Sequence, residues 1–227
     1  MSSRVNRRPS PNHDARPMPV DILLLHYTGM TEAKAALDRL CNPVARVSAH
    51  YLIEEDGTLW QLVDEARRAW HAGISHWAGA TDINARSIGI ELQNPGHEFG
   101  YRAFPEPQMQ TLIELAQGIL ARHPVPAWRV IGHSDVAPTR KEDPGELFDW
   151  QRLAKGGIGL WPAIDRDPLP DADWRALLAA YGYDIADPGA ALIAFQRHFH
   201  PAALGAPAGS ETRRILAALL KAAGRSA

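Results

Sequence analysis

The stretch VDILLLH, residues 20–26, is an apolar run rich in branched side chains and too short for a typical helix. Such a run suits a strand buried on both faces of a sheet, because a strand with one wet face would alternate polar and apolar residues. His26 then stands at the C-terminal end of that strand, where an α/β sheet opens into loops and where ligands gather. Working outward, Thr31 can cap a helix that runs to about Cys41, with Ala35, Ala36, Leu37 and Leu40 along one apolar side. VSAHYLI (47–53) and TLWQLV (58–63) flank EEDG, and Asp56-Gly57 supplies the left-handed backbone that a tight hairpin turn requires. SIGIELQ (87–93) reads as a further short strand. Beyond Pro105 and Pro107, Met109, Leu112, Ile113, Ala116, Ile119 and Leu120 recur at helical spacing over 108–122, and WRVIGH (128–133) follows as a strand. The order β-α-β-β-β-α-β predicts an α/β protein whose central mixed β-sheet is flanked by α-helices.

A short helix near Leu147–Leu153 leads into KGGIGLWPAIDRDPLPDAD, which is dense in glycine and proline and reads as a linker. Three amphipathic segments follow, around 173–181, 188–199 and 210–222. The chain thus divides into a main domain at 1–160, a linker at 161–172 and a small C-terminal three-helix unit at 173–227. Roughly fifty residues make a marginal independent fold, so the helical unit is expected to dock on the main domain.

Lysine and arginine total 24 against 26 acidic residues, a formal charge of −2, so no basic field draws the protein to nucleic acid or to an anionic membrane. The lone Cys41 excludes an internal disulfide and any cysteine-based zinc cage. The first nineteen residues lack the apolar core of a secretory signal, and no run is long enough for membrane insertion. Cytoplasmic localisation is the expectation, with the periplasm as the alternative if the natural chain carries a leader absent from this sequence. The oligomeric state is left unassigned.

Three chemically interesting residues, His26, Glu91 and His133, fall at or just beyond strand ends. GHSDVAPTRKEDPG (132–145) adds Lys141 and Asp143 close to His133. A hydrolytic zinc site takes three protein ligands from histidine and carboxylate and leaves a position for water. His26, His133 and Asp143 could supply such a set. On the residues alone the choice stays open, because ten histidines allow many triples and a strand-end histidine is more often a hydrogen-bonded structural residue.

HYTGM (26–30), VSAHYLIEEDGTLWQLV (47–63), RAWHAG (68–73), NARSIGIEL (84–92) and GHSDVAPTRKEDPG (132–145), in this order, resemble the zinc-dependent N-acetylmuramoyl-L-alanine amidases of the AmpD and AmiD type. The blocks span most of residues 20–153. The resemblance implies the sheet-and-helix fold shared with peptidoglycan recognition proteins, Zn2+ held by His26, His133 and Asp143, Glu91 as the acid/base residue, and Lys141 stabilising developing charge. It implies peptidoglycan fragments, the muropeptides, as substrates. The bond cut would join N-acetylmuramic acid, or its 1,6-anhydro form, to L-alanine during wall recycling. His50, Arg68, Trp70, His71 and Asn84 lie in the matched blocks and are candidates to line the substrate groove, Arg68 being suited to the peptide's carboxylates. Trp60, Trp70 and Trp77 are candidates to stack on sugar rings.

The residue types suit amide hydrolysis independently of the resemblance. An amide is a poor electrophile and water a poor nucleophile, so a metal beside a proton-carrying carboxylate addresses both difficulties. The segment from Gly182 to Leu220 resembles the three-helix peptidoglycan-binding modules of some AmiD-like amidases, through a looser pattern that any small helical bundle would share. The alternative is a metal-free peptidoglycan-recognition module on the same fold. A pure binder has no need of the ligand set together with Glu91 and Lys141, and bound zinc in the purified protein separates the two.

Overall fold

The computed structural model describes residues 5–164 and 173–226. Two short strands, β1 (Val5–Arg7) and β2 (His13–Ala15), precede β3 (Ile22–Tyr27), which contains most of the apolar run at 20–26. Helix α1 (Ala33–Leu40), strands β4 (Tyr51–Ile53), β5 (Leu59–Gln61) and β6 (Arg67–Ala69), and the short helix α2 (Ile83–Arg86) lead to β7 (Ser87–Leu92). Then come α3 (Gly96–Phe99), the long α4 (Glu106–Arg122), β8 (Val130–Gly132), α5 (His133–Val136) and α6 (Trp150–Lys155). Three C-terminal helices follow, α7 (Trp174–Tyr181), α8 (Pro188–Phe199) and α9 (Ser210–Ala222). Six strands form one mixed sheet in the order β1-β5-β4-β7-β3-β8, parallel throughout except for the β4–β5 hairpin. β2 and β6 pair antiparallel as a separate ribbon.

The alternation of side chains along β3 decides what covers each face. Leu23 and Leu25 point one way, and Ile22, Leu24 and His26 the other. The first face is buried under Met109, Leu112, Ala116 and Ile119 of α4. On the second face Ile22, Leu24 and Ile131 run into Leu177, Leu178, Tyr181, Phe195 and Leu216 of the C-terminal helices as one buried cluster. Further across that face, Leu52 packs with Ala36, Leu37 and Leu40 of α1. Between α1 and the 140–143 loop lies a cavity at the ends of β3 and β7, and His26 and Glu91, partners in register, open into it.

Several local expectations differ from the structure. Helix α1 has Glu32 rather than Thr31 at its cap position, with no side-chain cap bond, so Thr31 lies one residue too early to cap it. The hairpin strands are shorter than 47–53 and 58–63. Ser48 leaves the ladder, its N–H bonded to the Trp70 carbonyl and its hydroxyl to that of Asn12. His133 opens α5 instead of ending a strand. Strands β1, β2 and β6 are three polar or mixed residues each and carry no periodicity to read. Residues 165–172, most of the expected linker, lie outside the described residues. Among the described residues no helix is long and apolar enough to cross a membrane.

Glu65 ties the sheet to α4 and gives the fold a pH dependence. Burial alone would raise its pKa, but hydrogen bonds from Arg122, Tyr51 and His123, at 2.7, 2.7 and 2.8 Å, outweigh that and hold it at about 2. A depressed carboxylate contributes stability that is present above its unfolded pKa and is lost as pH falls through the folded one. Glu65→Gln is therefore expected to cost about 1–3 kcal/mol at neutral pH and to reduce the loss of stability between about pH 4.5 and 2. Urea melts of both proteins across that range check it, and parallel curves would remove Glu65 as the cause.

Candidate metal centre

Three elements converge on the open end of the sheet. β3 delivers His26, the start of α5 delivers His133, and the loop after α5 brings Asp143 back. The Nδ1 atoms of the two histidines are 3.0 Å apart, and Asp143 Oδ2 lies 3.1 Å from the first and 3.0 Å from the second. All three residues are buried. Tetrahedral donors at about 2.0–2.1 Å from one zinc ion stand about 3.3 Å from each other, so the triangle is close to the size such an ion needs.

The outer nitrogens fix which ring positions carry protons. His133 Nε2 donates to the Ala72 carbonyl at 3.0 Å, which leaves its Nδ1 as a bare lone pair. His26 Nε2 donates to His71 Nδ1 at 3.0 Å. His71 Nε2 in turn donates to Ser87 Oγ at 3.3 Å, and Ser87 donates to the Ile83 carbonyl at 2.7 Å. Both inward nitrogens are thus acceptors, and they face an acceptor-only carboxylate. Three converging lone-pair donors without a proton among them repel one another unless a cation occupies their centre, so the residues fit a metal. Burial, reinforced by His133, pushes His26 down to about 4. Burial alone would raise Asp143, but His133 and His26 beside it hold it well below the usual carboxylate range. His26 and Asp143 are therefore deprotonated at neutral pH, as metal ligands must be.

The supports behind these ligands are specific. Gly89 lies under the His71 ring, and a Cβ there would come within 2.5 Å of Nδ1, so only glycine leaves room for the ring that orients His26. Asn84 Oδ1 accepts from the backbone N–H groups of His71 and Ala72 at 3.0 and 2.8 Å, which holds the carbonyl used by His133.

Glu91 stands beside His26, and its buried Oε2 has no hydrogen-bond partner among the described residues. Burial, then the charge of Asp143, pushes its pKa well above the ordinary value, with Lys141 acting against them. Lys141 lines the same cavity of about 340 Å³, together with Met30, Arg39, Trp70 and Arg140.

The structure divides the remaining candidates. Trp70 and His71 line the cavity, Trp70 with its indole N–H on Asp14 and the Arg46 guanidinium 5.5 Å above its ring. His50 does not reach it: it is fully buried, its Nδ1 accepting from the Gly89 N–H and its ring locking β4 onto β7. Asn84 is a buried backbone clamp rather than a groove residue. Arg68 opens into a neighbouring groove, bonded to Asp14 and Asp82, and is not among the residues that line the metal cavity. Trp77 is 1 % exposed and packs on Trp128, Tyr181 and Tyr183, which excludes it from sugar stacking. Trp60 leans on the α1 cluster and donates to Glu54. Arg39 and Arg140 are cavity residues that the motif blocks did not single out. Arg39 could have been suspected from its place on the polar side of α1.

A family model described as N-acetylmuramoyl-L-alanine amidase, Amidase_2, matches residues 16–146. N-acetylmuramoyl-L-alanine amidase AmiD of Escherichia coli is 39% identical, over 91% of this chain and 84% of its own. The 1,6-anhydro-N-acetylmuramyl-L-alanine amidase AmpD of Haemophilus influenzae is 37% identical over 63% of this chain and 86% of its own. The solved complex of E. coli AmiD with the substrate anhydro-N-acetylmuramic acid-L-Ala-D-γ-Glu-L-Lys superposes with a TM-score of 0.81 at 38% identity, covering 96% of this chain and 94% of that one. With the matched segment containing all three converging donors and the cavity carboxylate, this chain belongs to the N-acetylmuramoyl-L-alanine amidase family, Amidase_2.

Proposed function

We propose that this protein is a zinc amidase that cuts the bond between the lactyl group of N-acetylmuramic acid, or its 1,6-anhydro form, and the L-alanine of the stem peptide, acting on peptidoglycan fragments in wall recycling. The observation that carries this reading is the proton-free donor triangle beside an unpaired Glu91 oxygen in one cavity. The anhydromuropeptide held by the related AmiD supports the substrate class.

His26, His133 and Asp143 would hold the zinc. When bound, the ion supplies Lewis acidity that lowers the pKa of water toward about 7 and polarises the amide carbonyl. Glu91 takes a proton from the attacking water at Oε2 and gives it to the leaving amine of L-alanine, for which a carboxyl of raised pKa is suited. Lys141 places positive charge where the carbonyl oxygen becomes negative. Arg39 and Arg140 place guanidinium groups at the cavity wall, which suit the carboxylates of a stem peptide.

The direct test is mass spectrometry of the products from a 1,6-anhydromuropeptide and from intact sacculi. Release of peptide with a free L-alanine amine, abolished by a chelator and restored by zinc, is the expected result. Failure of the zinc-loaded protein to cut this bond in either substrate would sink the reading. Cytoplasmic localisation goes with recycling, and fractionation of cells carrying the tagged native gene checks it. Lys141→Met is expected to lower kcat by about 10²–10³-fold with little change in KM, because the charge it meets exists chiefly in the transition state. A rise in KM alone would make Lys141 a ground-state binding residue.

A further inference from the structure

We infer that the C-terminal helical unit positions the metal ligands: α8, through Arg197 and His198, together with Tyr183, holds the loop that carries His133 and Asp143. The anchor is Asp135, two residues after His133 and fully buried. Its Oδ2 accepts at 2.7 Å from the N–H of Gly132, the residue that immediately precedes His133. The same oxygen accepts from His198 Nδ1 at 2.8 Å, and Oδ1 accepts from the Tyr183 hydroxyl at 2.6 Å. Two of the three donors that satisfy this carboxylate thus come from the helical unit. The imidazole of His198 is itself held, stacked on Trp150 and on Phe199 with ring centroids 3.7 Å away on each.

The adjacent residue grips the other end of the loop. Arg197 donates to Glu142 at 2.8 Å, between Lys141 and Asp143, and lies 3.8 Å from Glu146. Glu146 accepts from His97 Nε2 at 3.1 Å, and His97 Nδ1 accepts from the hydroxyl of Tyr27, the residue after His26. Adjacent residues of α8 therefore reach Asp143 through its neighbour Glu142, and His133 through Asp135 and Gly132.

A buried carboxylate is an acceptor with no protons of its own, so losing donors leaves uncompensated charge that must find water. The backbone it anchors would move with it, and that backbone is Gly132, the residue joined directly to His133. Metal affinity is sensitive to such movement, because ligand distances tolerate only about 0.2 Å and disturbed outer partners typically weaken binding about 10–100-fold. A unit that served only to hold glycan would need neither the Asp135 nor the Glu142 contact.

This inference rests on reading His133 and Asp143 as metal ligands, so the experiment includes a control on that reading. Zinc affinity is measured by competition with a chromophoric chelator on full-length parent, His133→Ala, Tyr183→Phe, His198→Phe, Arg197→Met and Arg197→Lys, with melting temperature recorded separately. Tyr183→Phe keeps its ring and His198→Phe puts another aromatic ring in place of the imidazole, each loses a donor, and each is expected to bind zinc about 10-fold more weakly. Arg197→Lys is expected to recover part of what Arg197→Met loses, and the cobalt-loaded variants to show a shifted d–d absorption band. Parent-like affinity in His133→Ala would overturn the ligand reading itself. Loss of zinc in His133→Ala with affinity within about twofold of parent in folded Tyr183→Phe would overturn the positioning role alone. Tyr183→Phe removes a single oxygen, so it decides the matter even where His198→Phe melts.

Discussion

Glu91→Gln is expected to keep the fold and the zinc and to lose about 10²–10⁴-fold in kcat. The substitution is nearly isosteric, and Oε2 of Glu91 makes no hydrogen bond that the amide would forfeit. What disappears is the ability to accept a proton from water and pass it to the leaving amine, since an amide does neither near neutral pH. The buried site also has less charge to accommodate, so stability should hold or rise slightly. Steady-state product formation followed by mass spectrometry, with zinc determined on the same sample, separates the two effects. Turnover near that of the parent would sink the assignment of Glu91. A low rate accompanied by lost zinc would mean that Glu91 supports the metal site instead.

His26→Ala, His133→Ala and Asp143→Ala are each expected to weaken zinc binding by about 100-fold or more. Each removes one corner of the donor triangle, but the residues left behind differ. Without Asp143 the two imidazoles have no negative partner, so the site loses charge as well as a donor. Without His133 the Ala72 carbonyl loses the nearer of its donors, Arg140 remaining at 3.3 Å. Without His26 the His71 ring loses the partner that orients against it. Zinc binds the folded state, so micromolar zinc should raise the melting temperature of the parent and leave these variants nearly unmoved. A variant that keeps the full thermal shift and a full equivalent of metal would show that its residue is not a ligand.

The sequence by itself determined the parts of this protein that rest on local periodicity and residue chemistry. The apolar run at 20–26 and the Asp56-Gly57 turn are readable from residue type, and the helical spacing over 108–122 and the three C-terminal amphipathic segments from a period of 3.6, each within one segment. The donor types around His133 and Asp143 are legible because the two stand only ten residues apart in one continuous stretch. The short ribbon of β2 and β6 was not, because three-residue strands are stabilised by the partner they meet and not by their own pattern.

Only the tertiary structure decided which side chains face the cavity. His50 and His71 occupy comparable motif blocks, yet the β4–β7 ladder turns His50 into the interior while the space above Gly89 lets His71 reach His26. Arg68 and Trp77 look like groove residues in sequence, but one pairs with Asp14 and Asp82 and the other is covered by Tyr181 and Tyr183 of the helical unit. The Nδ1 choice at both histidines follows from acceptors at Ala72 and His71, far from either ligand in the chain. The physical reason is separation. His26 and Asp143 lie 117 residues apart and meet only because strand register and packing on α4 and the C-terminal helices bring their segments together, and no local period encodes that.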